Sequence, residues 1–181
     1  MPKNDTIGEV AVRICGVGGQ GVVLAANILA ESLAQKFAHA TTSSAYGPEV
    51  RGTSVRADVR ASTRWIDYPR VDRPALVIAL AQKEYDLAVK DAAEGALILY
   101  DPSTIEPAQK DGVRQMPVDA SQMSQDNFGR PANANLIMLG AAAAYLAEID
   151  FDALSRTARD KVSDKEAAAR ALEIGRSVKD I

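Results

Sequence analysis

One cysteine, one histidine and one tryptophan in 181 residues leave this chain short of the side chains that most often bind metals or form cross-links. With Cys15 alone, no internal disulfide can form, and the four thiolates that an iron–sulfur cluster normally takes must come from another polypeptide. Cys15 ends an apolar run (Val10, Val12, Ile14), so it reads as a small buried hydrophobe rather than a reactive thiol. His39 has no serine or cysteine nucleophile motif near it in sequence and takes no role. No spacing around Trp65 and Tyr68 implies a metal site, and these residues with the nearby prolines read as a packed loop.

An excess of charge of either sign is also missing. Lysine and arginine number 21 against 24 acids, a net charge of -3, so there is no electrostatic case for binding nucleic acid or an anionic membrane. The longest apolar stretch, Leu136–Ala147, is mostly alanine and falls short of the roughly 20 residues a bilayer-spanning helix requires. Its small residues imply close packing against other backbone, within the domain or at a subunit contact. The polar start Met1-Pro2-Lys3-Asn4-Asp5 lacks the apolar core of a signal peptide, which leaves a cytoplasmic location as the expectation.

What is present, 47% hydrophobic and 25% charged residues, suffices for a full core in one domain spanning residues 1–181. Short apolar runs alternate with helical patterns, which predicts an α/β fold: a Rossmann-like mixed, mostly parallel sheet flanked by helices. Strands are expected over Glu9–Cys15, Ala40–Ala45, Ser54–Ala61, Ala75–Leu80, Ala96–Tyr100 and Val113–Val118. Helices are expected over Gly21–Phe37, Lys83–Ala92, Ala120–Asn127, Asn133–Ala147, Phe151–Lys161 and Lys165–Val178. Ser163-Asp164-Lys165-Glu166 has the form of a capping box for the last helix, and Asn133 or Asn135 is placed to cap the alanine-rich one. In Ser54–Ala61, small apolar residues alternate with Arg56, Asp58 and Arg60. This pattern predicts an edge or antiparallel strand whose charged face meets solvent or a partner.

Two loops carry the chemistry. Gly16, Gly18 and Gly21 have the G-x-G-x-x-G spacing between a strand and a helix, which permits a tight turn and close approach of backbone to a phosphate. About one βα unit later comes Tyr46-Gly47-Pro48-Glu49-Val50-Arg51-Gly52, where a phenol, an acid and a guanidinium fall within a few residues. If both loops leave parallel strands, they emerge on one sheet edge and share a crevice. Three readings are open, the second of them motivated by the resemblance given below. One is an independent NAD(P)- or FAD-binding oxidoreductase, which lacks the expected acid at the end of the second strand (Thr42-Ser43-Ser44-Ala45-Tyr46). Another is a subunit that completes a shared site. The third is a scaffold whose glycine turn only lets helix meet sheet and whose Glu49 and Arg51 merely pair with each other.

The chain resembles the gamma subunit, or gamma domain, of 2-oxoacid:ferredoxin oxidoreductases. The likeness rests on four ordered motifs: Gly16-Val17-Gly18-Gly19-Gln20-Gly21-Val22-Val23-Leu24-Ala25, the Tyr46–Gly52 segment, Val71-Asp72-Arg73-Pro74, and Ala134-Asn135-Leu136-Ile137-Met138-Leu139-Gly140-Ala141. It implies a non-autonomous subunit of an enzyme that oxidatively decarboxylates a 2-oxoacid to an acyl-CoA. The candidate oxoacids are pyruvate, 2-oxoglutarate, ketoisovalerate, indolepyruvate and phenylglyoxylate. The resemblance implies alpha and beta partner subunits that hold thiamine diphosphate with Mg, and a ferredoxin-like subunit that carries iron–sulfur clusters. Electrons would pass to ferredoxin or, through a flavoprotein subunit with FAD, to NAD. It implies no cofactor held by this chain alone; the chain would help to form the active-site and coenzyme A region. Gly18, Gly19, Gln20 and Gly21 would form the backbone-rich loop at the crevice. Tyr46, Gly47, Glu49, Arg51 and Gly52 would face the catalytic partner, with Asn135 added from the fourth motif. The family commonly has two glycines before threonine after the arginine. This chain has Gly52-Thr53-Ser54, which leaves open the register of the next strand and the direction of Arg56.

Overall fold

The computed structural model describes residues 8–47 and 52–180. Strands β1 (Glu9–Val17), β2 (His39–Tyr46), β3 (Ser54–Ser62), β4 (Leu76–Ala79), β5 (Leu97–Tyr100) and β6 (Arg114–Pro117) form one sheet in the order β2-β3-β1-β4-β5-β6. The helices are α1 (Val22–Leu33), α2 (Gln82–Asp91), α3 (Ala120–Phe128), α4 (Ala134–Tyr145), α5 (Phe151–Lys161) and α6 (Lys165–Arg176). β1, β4, β5 and β6 are parallel, while β3 runs antiparallel to both β1 and β2. The mixed, mostly parallel α/β sheet expected from the sequence is therefore present.

Leu76-Val77-Ile78-Ala79 and Leu97-Ile98-Leu99-Tyr100 are buried along their whole length, as central parallel strands covered on both faces must be. Val12, Ile14, Ile78 and Leu99 face α1, α4, α5 and α6; Cys15, Val77, Ala79 and Ile98 face α2. α4 and α6 meet backbone to backbone. A Cβ on Gly140 would strike the carbonyl oxygen of Leu172, and one on Gly175 that of Ile137. The small residues of the apolar stretch thus serve a contact within the chain.

Three local expectations need correction. β3 is the antiparallel strand of the two alternatives and not the edge, because β1 and β2 pair on either side of it. Its charged face is buried at Asp58, beside Arg13 of β1, and half-buried at Arg56 and Arg60. Arg13 Nε donates to Asp58 Oδ1 at 2.8 Å, Nη1 to Asp91 Oδ2 at 2.6 Å, and Nη2 to the carbonyl of Val71, while Val71 N donates to Asp58 Oδ2 at 3.1 Å. Burial by itself would lower the guanidinium pKa. The hydrogen bond and charge of Asp58, then those of Asp91, outweigh it and raise the pKa overall. The register Cys15↔Arg56 puts Arg56 on this same face, which settles its direction. At α6 the cap is Asp164, whose carboxylate accepts from Ala167 N at 3.0 Å; Ser163 lies one position too early. Trp65 is 74% exposed and Tyr68 50%, so the loop around them is not packed; the Trp65 and His39 rings meet edge-to-face at 5.3 Å between centroids.

The buried pair makes a graded prediction. Asp58→Ala leaves a buried guanidinium short of its main partner and should cost about 3–5 kcal/mol in urea unfolding. Asp91→Ala removes a half-exposed partner while Asp58 remains, and should cost about 1 kcal/mol or less.

Cys15 gives a pH-dependent prediction. Burial first, then the charge of Glu84, pushes its thiol from 9.0 up to about 12. Between those values the folded chain holds a proton that the unfolded chain has lost. This contribution to stability is complete below about pH 9 and falls as pH rises towards 12. Urea unfolding at about pH 8 and about pH 10.5 should show the stability difference between the native chain and Cys15→Ala moving in favour of the variant.

Candidate functional site

β1 and β2 run in the same direction with β3 between them, so their carboxyl ends share one edge of the sheet. The second loop is therefore a β2–β3 hairpin connection rather than a strand-to-helix loop, yet it still meets the first. Gly18 N donates to Thr53 O at 2.9 Å, and Gly47 N donates to Ser54 O at 2.8 Å. Gly19 and Gly21 have φ of 94° and 70°, left-handed values that a side chain resists, and Gly21 is the N-cap of α1.

The glycines make room chiefly for the protein's own amides. A Cβ on Gly16 would strike Gln20 Oε1, and one on Gly21 would strike Asn135 Nδ2. Gln20 Oε1 accepts from Val17 N at 2.8 Å, and Nε2 donates to Leu80 O at 2.9 Å. Asn135 is buried in the first turn of α4, where Nδ2 donates to Gly21 O at 3.1 Å and Oδ1 accepts from Leu136 N at 2.9 Å. Asn135 therefore ties α4 to the start of α1. Asn133 holds the N-cap position without a side-chain cap bond.

Two crevices flank the bend. One, of about 320 Å³, is lined by Gly18, Gly19 and Gly21, the first turn of α1, Tyr46 and Val55. The other, of about 460 Å³, is lined by Gly19, Gln20, Leu80, Thr104, Ser121 and residues 131, 132 and 134. It lies between the exits of β1 and β4, whose following helices pack on opposite faces of the sheet, the usual ligand crevice of an open α/β sheet. α1 and α4 begin here with no acid in the first turn and no side-chain cap, whereas α2, α5 and α6 carry Glu84, Asp152 and Glu166 in theirs. Amide dipoles without a side-chain cap at the start of α1 favour an anion, whereas at α4 the amides of Asn133, Ala134 and Leu136 are taken by Ser124 Oγ, Pro131 O and Asn135 Oδ1. The start of α3 is already satisfied, because Asp101 Oδ2 accepts from Ser121 N at 2.8 Å.

Of the residues expected at a site, Gly18, Gly19, Gly21 and Tyr46 gather on the smaller crevice, and Gln20 lines the larger. Gly47 is bonded to β3, and Gly52 is exposed with φ of 64°. Glu49 and Arg51 lie outside the described residues. Leu80, Thr104 and Ser121 are not evident from motifs, because they enter through strand exits far away in sequence. The rule that ligands sit at the carboxyl ends of parallel strands is the signal that points to them. The dinucleotide geometry is missing: the strand beside β1 on the α1 side is antiparallel β3, which begins rather than ends at this edge. No group of three or more histidine, cysteine or acidic side chains is placed to hold a metal among the described residues. Buried Cys15, with its raised pKa, does not fit cluster ligation.

The family model for pyruvate ferredoxin/flavodoxin oxidoreductase matches residues 11–178. Ketoisovalerate oxidoreductase subunit VorA of Methanothermobacter marburgensis is 33% identical over 162 residues, covering 86% of this chain and 34% of VorA. The 2-oxoglutarate synthase subunit KorC of Methanocaldococcus jannaschii is 29% identical over 154 residues, covering 83% of this chain and 82% of KorC. The chain thus spans about a third of the length of VorA and most of KorC. Among solved structures, the gamma subunit of keto/oxoacid ferredoxin oxidoreductase from Geobacter sulfurreducens superimposes with a TM-score of 0.80 at 25% identity, covering 92% of this chain and 95% of that one. A family match over nearly the whole chain, together with a shared fold, shows that this chain belongs to the pyruvate ferredoxin/flavodoxin oxidoreductase family and is homologous to the gamma-type subunits of 2-oxoacid oxidoreductases.

Proposed function

We propose that this chain is the gamma subunit of a multi-subunit 2-oxoacid oxidoreductase and that its strand-exit edge completes the active-site and coenzyme A region of partner alpha and beta subunits. The observation that carries this reading is the junction of two loops, Gly18 N on Thr53 O at 2.9 Å, beside two helix starts that carry no acid. Such an edge suits the phosphates of a coenzyme A-like anion, which the amides of the glycine bend and of α1 would hold. Tyr46, Gly47, Glu49, Arg51 and Gly52 would form the wall facing the catalytic partner.

Thiamine diphosphate with Mg on the alpha and beta subunits would supply the decarboxylation chemistry, with iron–sulfur clusters on a ferredoxin-like subunit carrying electrons to ferredoxin or, through a flavoprotein with FAD, to NAD. The part left to this chain is to bind an anionic group, orient it and keep water from the junction. The oxoacid side chain would be selected mainly by the partner subunits. A cytoplasmic assembly belongs to the same reading; no helix among the described residues is long and apolar enough to cross a membrane.

Gly18→Leu tests the reading, because Gly18 is exposed and an added Cβ would find only Thr53 O, at 3.9 Å. The variant should fold and assemble like the native chain, while its side chain fills the smaller crevice. In the complex reconstituted with alpha, beta and iron–sulfur subunits, oxoacid-dependent reduction of a viologen dye should show a KM for coenzyme A raised about tenfold, near 1.4 kcal/mol. The chain alone should not oxidise any 2-oxoacid. Turnover by the isolated chain, or unchanged kinetics in the Gly18→Leu complex, would refute the shared-site reading.

A further inference from the structure

Gln20 lines the larger crevice, yet both ends of its carboxamide are turned into the chain. Oε1 accepts from Val17 N at 2.8 Å and Nε2 donates to Leu80 O at 2.9 Å. The same Leu80 carbonyl accepts from Thr104 Oγ1 at 3.0 Å, so residues from the β1 and β5 exits meet on one acceptor at the β4 exit. Beyond Thr104 the connection continues, because Thr104 N donates to Asp101 O at 3.1 Å, and the Asp101 carboxylate accepts from Ser103 N at 3.0 Å and from Ser121 N at 2.8 Å. Gly16 keeps clear the space that Gln20 Oε1 occupies, so one glycine of the bend serves this side chain rather than a ligand.

We propose that Gln20 is a positioning residue: with Thr104 sharing the Leu80 carbonyl, it fixes the glycine bend as the wall between the two crevices and does not itself contact the ligand. The proposal rests on the reading of these crevices as the coenzyme A-facing region. The bend needs such a tie because its left-handed glycines, Gly19 and Gly21, are free to take many other conformations. An unfastened bend would present its amides in many orientations, and ordering them on binding would weaken affinity.

Three variants test this in the full chain and in the reconstituted complex. Gln20→Ala removes both bonds, Gln20→Glu keeps the shape and the acceptor but loses the donor to Leu80 O, and Thr104→Val removes the second donor at the same carbonyl. Amide hydrogen exchange over residues 17–21 of the isolated chain should speed up about tenfold or more in Gln20→Ala, as expected for local opening that costs 1.4 kcal/mol less. In the complex, Gln20→Ala should raise the KM for coenzyme A about tenfold with kcat within about twofold, and Gln20→Glu and Thr104→Val should move KM in the same direction by less. Unchanged exchange in Gln20→Ala overturns the proposal, since the tie would then hold nothing. Faster exchange with an unchanged KM also overturns it, provided Gly18→Leu raises KM. If Gly18→Leu leaves KM unchanged as well, the shared-site reading has failed, and the exchange data alone then decide whether Gln20 fastens the bend.

Discussion

The edge of the sheet that carries the crevices depends on one close approach. At Gly16 and Gly21 the backbone has no side chain, and the vacated space is taken by the carboxamides of Gln20 and Asn135. Each amide then bonds to main chain at the turn: Gln20 to Val17 N and to Leu80 O, which Thr104 Oγ1 also reaches, and Asn135 to Gly21 O, which Ala25 N also reaches. Leaving Val17 N unpaired while partly buried would cost roughly 1–3 kcal/mol, so glycines and amides form one device. A larger residue at either glycine would expel the amide as well as strain the turn. These bonds tie the start of α1 to the β4 exit and to α4.

The second determinant is the reversal of β3. An antiparallel strand inserted between β1 and β2 leaves those two parallel, and so brings the β2 exit to the same edge as the glycine bend. That insertion also places charged residues on a face that α2 and the Val71 loop enclose. Arg13 and Asp58 face each other across the Arg13↔Asp58 register, and Val71 supplies both a donor and an acceptor. Fully hydrogen-bonded, the pair is tolerated where an isolated charge would not be. The polar residues that make β3 look like an exposed strand are thus part of what fastens it inside the sheet.

Much of this was legible in the sequence. Strands β4 and β5 are continuous apolar runs bounded by turns, and α5 and α6 have clear helical periodicity, so their existence and type follow from pattern. The α6 cap was misplaced by one residue because serine and aspartate are both good N-caps, and only the backbone decides between neighbours. Asp58 looks like part of a face turned to solvent or a partner because a strand pattern shows alternation but not what stands opposite. Its partner is 45 residues away, and Asp91 lies 78 residues from Arg13. The glycine motif points to a crevice that Gly18 and Gly21 line, while Gly16 and Gly21 also make room for amide side chains. Spacing alone cannot tell a glycine that admits a ligand from one that admits a glutamine. Only Gly18, with open space before its Cβ position, behaves as the motif leads one to expect.

The same matched region makes up about a third of VorA and most of KorC, so within this family it occurs both in a longer polypeptide and largely by itself. What lets one fold serve in both settings is that its shape is fixed from within. The α4–α6 contact, the Arg13–Asp58 pair and the two amide ties all close inside the chain. Tethering to a neighbour raises effective concentration but need not alter such contacts. The edge with Gly18 and Tyr46 is open: Tyr46 is 65% exposed, and the amides at the start of α1 have no side-chain cap. A surface held rigid from behind and open in front would suit a site shared between polypeptides, because the ordering cost would be met before a partner arrives.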